Sequence, residues 1–238
     1  MLGRFLEVSV RAPDVAASLA FYESLGFVQA PVGDAWHHPY AVVTDGRLHL
    51  GLHGASIESP TLTWVRPDLA RHLSALAAAG LAIEAAVLDD ESLHRLEFRD
   101  PSGQSVTLLE ARTYSPPRLP VAHASLLGYF EEFGLPTTDV ERDAAFWEAV
   151  GFVAFEPQRR PFPRAVVTSS DLNLGLYDLD LRAPVLCYSD PDMPARISGL
   201  RERGCEFATR LPRGLASSGV EILVAPEGTA FLLTTGLD

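Results

Sequence analysis

Hydrophobic and polar residues alternate along several short segments of the chain, and other segments have the spacing of an amphipathic helix. Residues 5–11 alternate and predict a strand, because successive side chains of a strand point to opposite faces. Pro13 and Asp14 then open a predicted helix over about residues 14–25, and Gly26 ends it. The chain therefore begins with a strand followed directly by a helix.

The same order of elements returns further along the first half. Pro67 and Asp68 open a second predicted helix, which runs to about residue 79 and ends at Gly80. Alternating segments predict the remaining strands of this half near residues 40–45, 47–53, 61–66, 82–88, 93–99 and 104–111. The first half thus contains two units, each with a strand, a helix and several further strands.

The whole pattern then repeats in the second half. The segment Ala41-Val42-Val43-Thr44 returns as Ala165-Val166-Val167-Thr168, and Phe21-Tyr22-Glu23 returns as Phe146-Trp147-Glu148. A register held over about a hundred residues is not accidental. We predict two tandem domains, at residues 1–112 (with modules at about 1–57 and 60–112) and 128–238, joined by a proline-rich linker at 113–127.

Composition narrows the function. The 238 residues carry a formal net charge of −12, which leaves no basic patch for phosphates and argues against nucleic acid as a partner. No apolar run approaches the roughly 20 residues that span a bilayer, and no signal-peptide pattern follows Met1, so we expect a cytoplasmic protein without a membrane partner. Cys187 and Cys205 lack the spacing of a zinc or redox motif and are expected to be reduced thiols.

Two motifs resemble those of a known family. The segment from Ser18 to Phe27, placed after a first strand and Asp14, and the turn Asp100-Pro101-Ser102-Gly103 before a last strand resemble the vicinal oxygen chelate superfamily. That superfamily includes glyoxalase I, bleomycin-resistance proteins and extradiol dioxygenases. The resemblance covers nearly the whole chain. It implies an α+β fold of four βαβββ modules in two tandem glyoxalase-like domains, each with a curled mixed sheet that encloses a cup.

The resemblance also implies a metal site, and the chain lacks the family's usual ligands for it. In the family a divalent metal on the cup floor is held chiefly by a His in the first strand of a module and a Glu in its last strand. The matching positions hold Glu7 and Glu132 in the first strands, and Thr107 and Leu232 in the last strands. The middle position holds His49 in the first half and Asn173 in the second. The fourth position falls near Pro60 or Thr61, and near Pro184 or Val185. The sequence therefore does not identify a cofactor. A divalent metal with Glu7 and His49 as ligands is one possibility, and we do not favour it.

Strand alternation predicts which side chains face each cup. Because Leu48, Leu50 and Leu52 should pack under the helices, the residues between them should face the other way. In the first half this polar face, named here the first cup, consists of Glu7, Ser9, His49, Gly51, His53, Thr61, Thr63 and Thr107. The equivalent face of the second half, the second cup, consists of Glu132, Gly134, Asn173, Tyr177, Val185, Cys187, Leu232 and Thr234. The first cup is more polar and is the better candidate site.

Two functions are compatible with these residues. The first is a small-molecule enzyme of lyase, isomerase or dioxygenase type, in which Glu7 is base or ligand, His49 is its partner, and nearby side chains bind substrate. Those candidate binding residues are Ser9, His53, Thr61, Thr63, Thr107, Glu132, Asn173 and Tyr177. The second is a metal-free protein that binds or sequesters a small organic compound, similar to bleomycin-resistance proteins. Glu7 and Glu132 could instead be structural groups bound to arginines. The chain could act as a monomer or a homodimer.

Overall fold

The computed structural model describes residues 1–32, 36–89, 91–111, 125–215 and 219–237. The elements of the first half are β1 (Arg4–Arg11), α1 (Val15–Ser24), β2 (Val28–Ala30), β3 (Tyr40–Thr44), β4 (His49–His53), β5 (Thr61–Arg66), α2 (Leu69–Ala78), β6 (Ile83–Val87), β7 (Arg95–Arg99) and β8 (Ser105–Glu110). Those of the second half are β9 (Tyr129–Pro136), α3 (Val140–Ala149), β10 (Val153–Ala154), β11 (Arg164–Thr168), β12 (Asn173–Tyr177), β13 (Val185–Ser189), α4 (Met193–Glu202), β14 (Glu221–Val224) and β15 (Ala230–Thr234).

Each half forms its own mixed sheet. The first sheet has the order β2-β3-β4-β1-β5-β8-β7-β6, and the second has the order β10-β11-β12-β9-β13-β15-β14. Antiparallel pairing of β1 with β5, and of β9 with β13, joins the two modules of each half. This architecture confirms the predicted α+β fold of tandem modules. The fourth module departs slightly, because an isolated bridge between Phe207 and Leu223 lies where the second module has β6.

Local sequence sets the ends of the equivalent helices α1 and α3. The side chain of Asp14 accepts a hydrogen bond from the Ala17 amide at 3.0 Å, and Asp139 accepts one from the Arg142 amide at 3.0 Å. Each bond satisfies an amide that has no partner within the helix. Gly26 follows α1 with a φ of 88°, a backbone conformation that glycine adopts without steric penalty.

Some sequence predictions lie beyond what the structure describes. Most of the predicted linker, residues 113–127, lies outside the described residues, which resume at Ser125. The short strand β2 was not predicted individually, because three residues are too few for alternation to be recognised. No helix in the described ranges is long and apolar enough to cross a membrane.

The two halves share one hydrophobic core. Leu48, Leu50 and Leu52 are buried in it, as the alternation of β4 predicts. The same cluster continues into the second half, where the rings of Trp64 and Trp147 are 6.2 Å apart. The opposite face of each sheet is left to form a cup.

Two equivalent polar contacts also join the halves. Ser18 on α1 donates a hydrogen bond from Oγ to Glu227 Oε2 at 2.9 Å. Asp143 on α3 accepts a hydrogen bond from the Oγ of Ser102. Ser18 corresponds to Asp143 in the repeat, and Ser102 corresponds to Glu227. The donor therefore lies on the helix in one contact and on the turn in the other.

Candidate functional site

The carboxylate of Glu7 lies on the floor of the first cup and is 1% exposed. Its Oε1 accepts a hydrogen bond from Ser9 Oγ at 2.8 Å and lies 2.8 Å from His53 Nε2. Its Oε2 accepts a hydrogen bond from the hydroxyl of Tyr40 at 2.5 Å. Hydrogen bonds to a charged acceptor are the stronger kind. Three neighbours thus hold the carboxylate in one orientation.

Gly51 makes room for this carboxylate. Strand β4 runs parallel to β1, and Gly51 lies beside Ser9 in the register. A Cβ atom at Gly51 would lie 2.1 Å from Oε1 of Glu7, which is far inside van der Waals contact. Because glycine has no side chain, the carboxylate can lie across β4.

A second histidine extends the contact from His53 towards the rim of the cup. His38 Nε2 lies 3.0 Å from His53 Nδ1, and the ring of Trp36 packs edge-on against His53 at 5.1 Å. Partial burial lowers the pKa of His38 below its usual value, and repulsion from His53 and His37 lowers it further. His38 is therefore mainly neutral at pH 7, with one ring nitrogen as donor and the other as acceptor.

Hydroxyl groups continue the hydrogen bonds from Glu7 into the cup. Ser9 Oγ lies 2.8 Å from Thr63 Oγ1. Thr61 donates from Oγ1 to the carbonyl oxygen of Glu58 at 2.8 Å. The antiparallel register of β1 and β5 places these groups side by side, because Ser9 pairs with Thr61 and Glu7 pairs with Thr63.

These groups border a cavity of about 560 Å³. That volume is typical of a site for a small organic molecule. Five of the side chains predicted for substrate binding line it, namely Ser9, His53, Thr61, Thr63 and Thr107. Trp36 adds an aromatic side chain to the wall, and Arg95 and Glu97 also line the cavity as an ion pair with 2.9 Å between Nε and Oε1.

The second cup is filled by its own side chains. An apolar cluster occupies it, made of Phe162, Tyr177, Leu179, Val185, Cys187, Leu215, Val220, Ile222, Leu232 and Leu237. Arg164, at the position of Tyr40 in the repeat, places Nη1 3.3 Å from Oε1 of Glu132 and donates from Nη2 to the carbonyl oxygen of Leu237 at 2.9 Å. Glu132 is thus bound to an arginine, which is one of the arrangements that the sequence left open.

Tyr177 stands where the first half has His53. Its hydroxyl donates to Oε1 of Glu132 at 2.5 Å. Burial raises the pKa of Glu132, while the hydrogen bond from Tyr177 and the charge of Arg164 act in the opposite direction. The two glutamates therefore occupy equivalent positions in different surroundings.

Solved structures share this architecture, although no protein-family model and no curated protein matches the sequence. The 2,3-dioxygenase LapB from Pseudomonas sp. KL28 has a TM-score of 0.61 and 16% identity, over 96% of this chain and 90% of that chain. The Mn(II)-bound glyoxalase from Novosphingobium aromaticivorans has a TM-score of 0.58 and 15% identity, over 99% of this chain and 82% of that chain. The fold is that of the vicinal oxygen chelate superfamily. At this identity the likeness concerns the fold, and chemistry has to be argued from the site.

The first cup does not fit the metal that the vicinal oxygen chelate fold commonly holds. Among the described residues, no three or more His, Cys, Asp and Glu side chains form a group that could hold a metal ion. Both oxygens of Glu7 are engaged by Ser9, His53 and Tyr40, and both ring nitrogens of His53 have partners. A facial site needs three ligands with free lone pairs. The donor set of this cup is therefore unsuited to a chelated metal.

The predicted pairing of Glu7 with His49 is replaced by a pairing with His53. Nε2 of His49 is buried and has no hydrogen-bond partner among the residues that the structure describes. Burial lowers the pKa of His49, although the negative charges of Glu7 and Asp45 oppose the shift. Alternation places the side chains of His49 and His53 on the same face of β4, but of the two only the imidazole of His53 is hydrogen-bonded to the carboxylate of Glu7.

Asn173 also stands apart from the glutamate of its cup. Its side chain accepts a hydrogen bond from the Thr168 hydroxyl at 2.5 Å and donates to the carbonyl oxygen of Glu131 at 3.1 Å. The residue is exposed at the start of β12. Of the candidate residues in the second half, Glu132 and Tyr177 are brought together and Asn173 is not.

Sequence reasoning missed Tyr40 and did not connect His38 with His53. A signal for Tyr40 was available in the repeat. Tyr40 precedes Ala41 as Arg164 precedes Ala165, so both copies carry a hydrogen-bond donor at this position. His38 precedes β3 in a loop, where strand alternation does not predict direction.

Proposed function

We propose that the protein is a small-molecule enzyme of the lyase or isomerase type, which moves a proton to or from a compound held in the first cup. One observation carries the proposal: a continuous hydrogen-bonded chain leads from the cavity to the rim. Its members in order are Thr63, Ser9, Glu7, His53 and His38, with links of 2.8, 2.8, 2.8 and 3.0 Å. General acid–base catalysis requires such hydrogen-bond reach between the reacting group and the side chain that takes its proton.

Each member of the chain has a role in this proposal. Thr63 and Ser9 line the cavity and contact the substrate, and a proton that enters at Thr63 Oγ1 passes through Ser9 to Glu7. His53 donates a hydrogen bond to the ionised carboxylate and His38 lies against its other ring nitrogen, so the two histidines position Glu7. Glu7 then returns the proton to the bound compound through the same hydroxyl groups. One proton enters and one leaves, so the chain returns to its starting state. Dioxygenase chemistry is less well supported, because the donor set of the cup does not fit a chelated metal.

A metal-free binding or sequestering protein is the second candidate function, similar to bleomycin-resistance proteins. The observation that favours it is the burial of Glu7, which is 1% exposed and whose two oxygens already have Ser9, His53 and Tyr40 as partners. Binding requires only the shape and polarity of the cavity. The ligand would again be a small organic molecule. One chain would be enough for either function, because the shared core already joins the halves.

Proton exchange separates these functions. We would incubate the protein with a panel of small ketones, hydroxyketones and lactones in D2O and follow the loss of carbon-bound hydrogen by NMR. Glu7→Gln should slow the exchange by about 100-fold or more. Glu132→Gln is the matched control, because it makes the same change in the filled second cup, and it should leave the rate unchanged.

Two outcomes would argue against the enzyme. Equal rates of proton exchange in the parent and in Glu7→Gln would show that Glu7 takes no part in the reaction. Compounds that bind in the cavity without any exchange would support the binding protein instead.

A further inference from the structure

The hydroxyl groups on the floor of the first cup point in a definite direction. Ser9 has a single hydroxyl proton, and it donates that proton to Oε1 of Glu7, because an ionised carboxylate only accepts hydrogen bonds. The hydrogen bond of 2.8 Å between Ser9 and Thr63 must then use the proton of Thr63. Thr63 Oγ1 consequently offers only lone pairs to the cavity.

The hydroxyl group of Thr61 also donates its proton away from the cavity. Its proton is donated to the carbonyl oxygen of Glu58 at 2.8 Å, so its oxygen is also an acceptor towards the cavity. Both threonines are buried, with 4% and 3% exposure for Thr61 and Thr63. A ligand that placed its own lone pairs against these oxygens would leave buried acceptors without donors, which is unfavourable.

The charges around the cavity do not favour an anion. Nε of Arg95 donates to Oε1 of Glu97 at 2.9 Å, so this arginine is already paired with an acid. Arg99 lies 3.2 Å from the carboxylate of Glu58, a second acid on the cavity wall. The described residues of the wall therefore carry no excess of positive charge for a carboxylate or a phosphate.

We infer that the first cup takes a compound whose buried end carries hydrogen-bond donors, either hydroxyl or amine groups, directed at Thr61 and Thr63. It discriminates against anions and against acceptor-only groups of the same shape. The inference rests on the proposed function for the location of the site, and it is independent of the reaction.

Matched probes test this polarity. The compounds 2-tetralol, 2-aminotetralin, 2-tetralone and tetralin-2-carboxylate share one ring frame and differ in the polar group. Titrations followed by saturation-transfer NMR at pH 7 give their dissociation constants. The alcohol or the amine should bind at least about tenfold more tightly than the ketone and the carboxylate, which corresponds to one or two hydrogen bonds. The comparison of alcohol with amine identifies which donor the site prefers.

Variants connect the preference with the two threonines. Replacing both by valine, Thr61→Val with Thr63→Val, keeps their shape and should abolish the preference for alcohol over ketone. Replacing both by serine should retain it. The inference fails if the ketone or the carboxylate binds as tightly as the donors, if neither donor binds, or if the valine variant keeps the preference.

The results also separate this inference from the proposed reaction. Tight binding of the donors without proton exchange on any compound would sustain the inference and contradict the enzyme. Exchange that depends on Glu7, combined with tighter binding of the ketone, would sustain the enzyme and contradict the inference.

Discussion

Tyr40 and Arg164 occupy the same position in the two halves, and each donates a hydrogen bond to the glutamate of its own cup. The phenol of Tyr40 brings no positive charge to Glu7, whose neighbours Ser9 and His53 line an open cavity. The guanidinium of Arg164 balances the charge of Glu132 and also binds the Leu237 carbonyl, which belongs to the segment that fills the second cup. This position is therefore one of those at which the open cup differs from the filled one.

Removing the hydroxyl of Tyr40 should destabilise the protein. Tyr40→Phe loses a hydrogen bond to a buried carboxylate, and we expect the free energy of unfolding to fall by about 2 kcal/mol. Urea unfolding measures the change. Tyr129→Phe is the control, because Tyr129 is 46% exposed, and it should be nearly neutral. Equal stability of the two variants would show that the Tyr40 bond contributes nothing.

A methyl group at Gly51 should disturb the floor of the first cup. The new Cβ of Gly51→Ala would lie 2.1 Å from Oε1 of Glu7, so the carboxylate or the strand has to move, and overpacking of this kind costs about 2 kcal/mol. Gly199→Ala is the matched control. Gly199 lies within α4, and nothing within 4 Å meets a Cβ there.

The control should become slightly more stable, by about 0.5–1 kcal/mol, because alanine favours the helix. Thermal and urea unfolding of both variants give the comparison. If Gly51→Ala were as stable as Gly199→Ala, the close approach of Glu7 to β4 would be incorrect.

Asp100 should make stability depend on pH. Burial raises its pKa from 3.8 to about 6, and the charge of Asp143 adds to the shift. The folded state then holds more protons than the unfolded state between those values, so the contribution of Asp100 to stability falls as pH rises through that window, by about 3 kcal/mol. Asp100→Asn has no proton to lose.

Urea unfolding of the parent and of Asp100→Asn at a series of pH values tests this dependence. The stability of the parent relative to the variant should decrease between pH 4 and pH 7. Other titrating groups are common to both proteins and cancel in the difference. A difference that stays constant with pH would contradict the raised pKa.

The two cysteines should differ in reactivity. Cys187 is 1% exposed, and burial, together with the charge of Glu132, raises the pKa of its thiol. Cys205 is partly exposed, and Arg203 opposes the increase of its pKa. Because the thiolate is the reactive form, a thiol reagent such as DTNB should modify one thiol in the native protein and the second only on unfolding. Cys205→Ser should remove the native reaction, and equal rates at both thiols would contradict this difference.

Strand alternation predicted much of the first cup. It placed Leu48, Leu50 and Leu52 on the core side, and it placed His53 and Thr63 on the face that lines the cavity. It could not show which of His49 and His53 is the partner of Glu7, because both side chains point to the same face of the strand. That distinction depends on how β4 crosses β1, which periodicity does not describe.

The sequence did not predict that side chains fill the second cup. Leu215 and Leu237 lie outside strands, in segments where no periodicity relates a side chain to a sheet face. The sequence predicted a less polar second cup from its strand residues, but the residues that occupy the space come from loops. The contact of His38 with His53 could not be predicted for the same reason, because His38 also lies in a loop.

The crossed polarity of the contacts between the halves restricts how copies of the chain can pair. Two first halves brought together in the same arrangement would set Ser18 opposite Ser102, and two second halves would set the carboxylates of Asp143 and Glu227 against each other. Carboxylates at that separation repel. The unlike halves satisfy both contacts at once. Each of these contacts is therefore matched between unlike halves, and two second halves would not reproduce it.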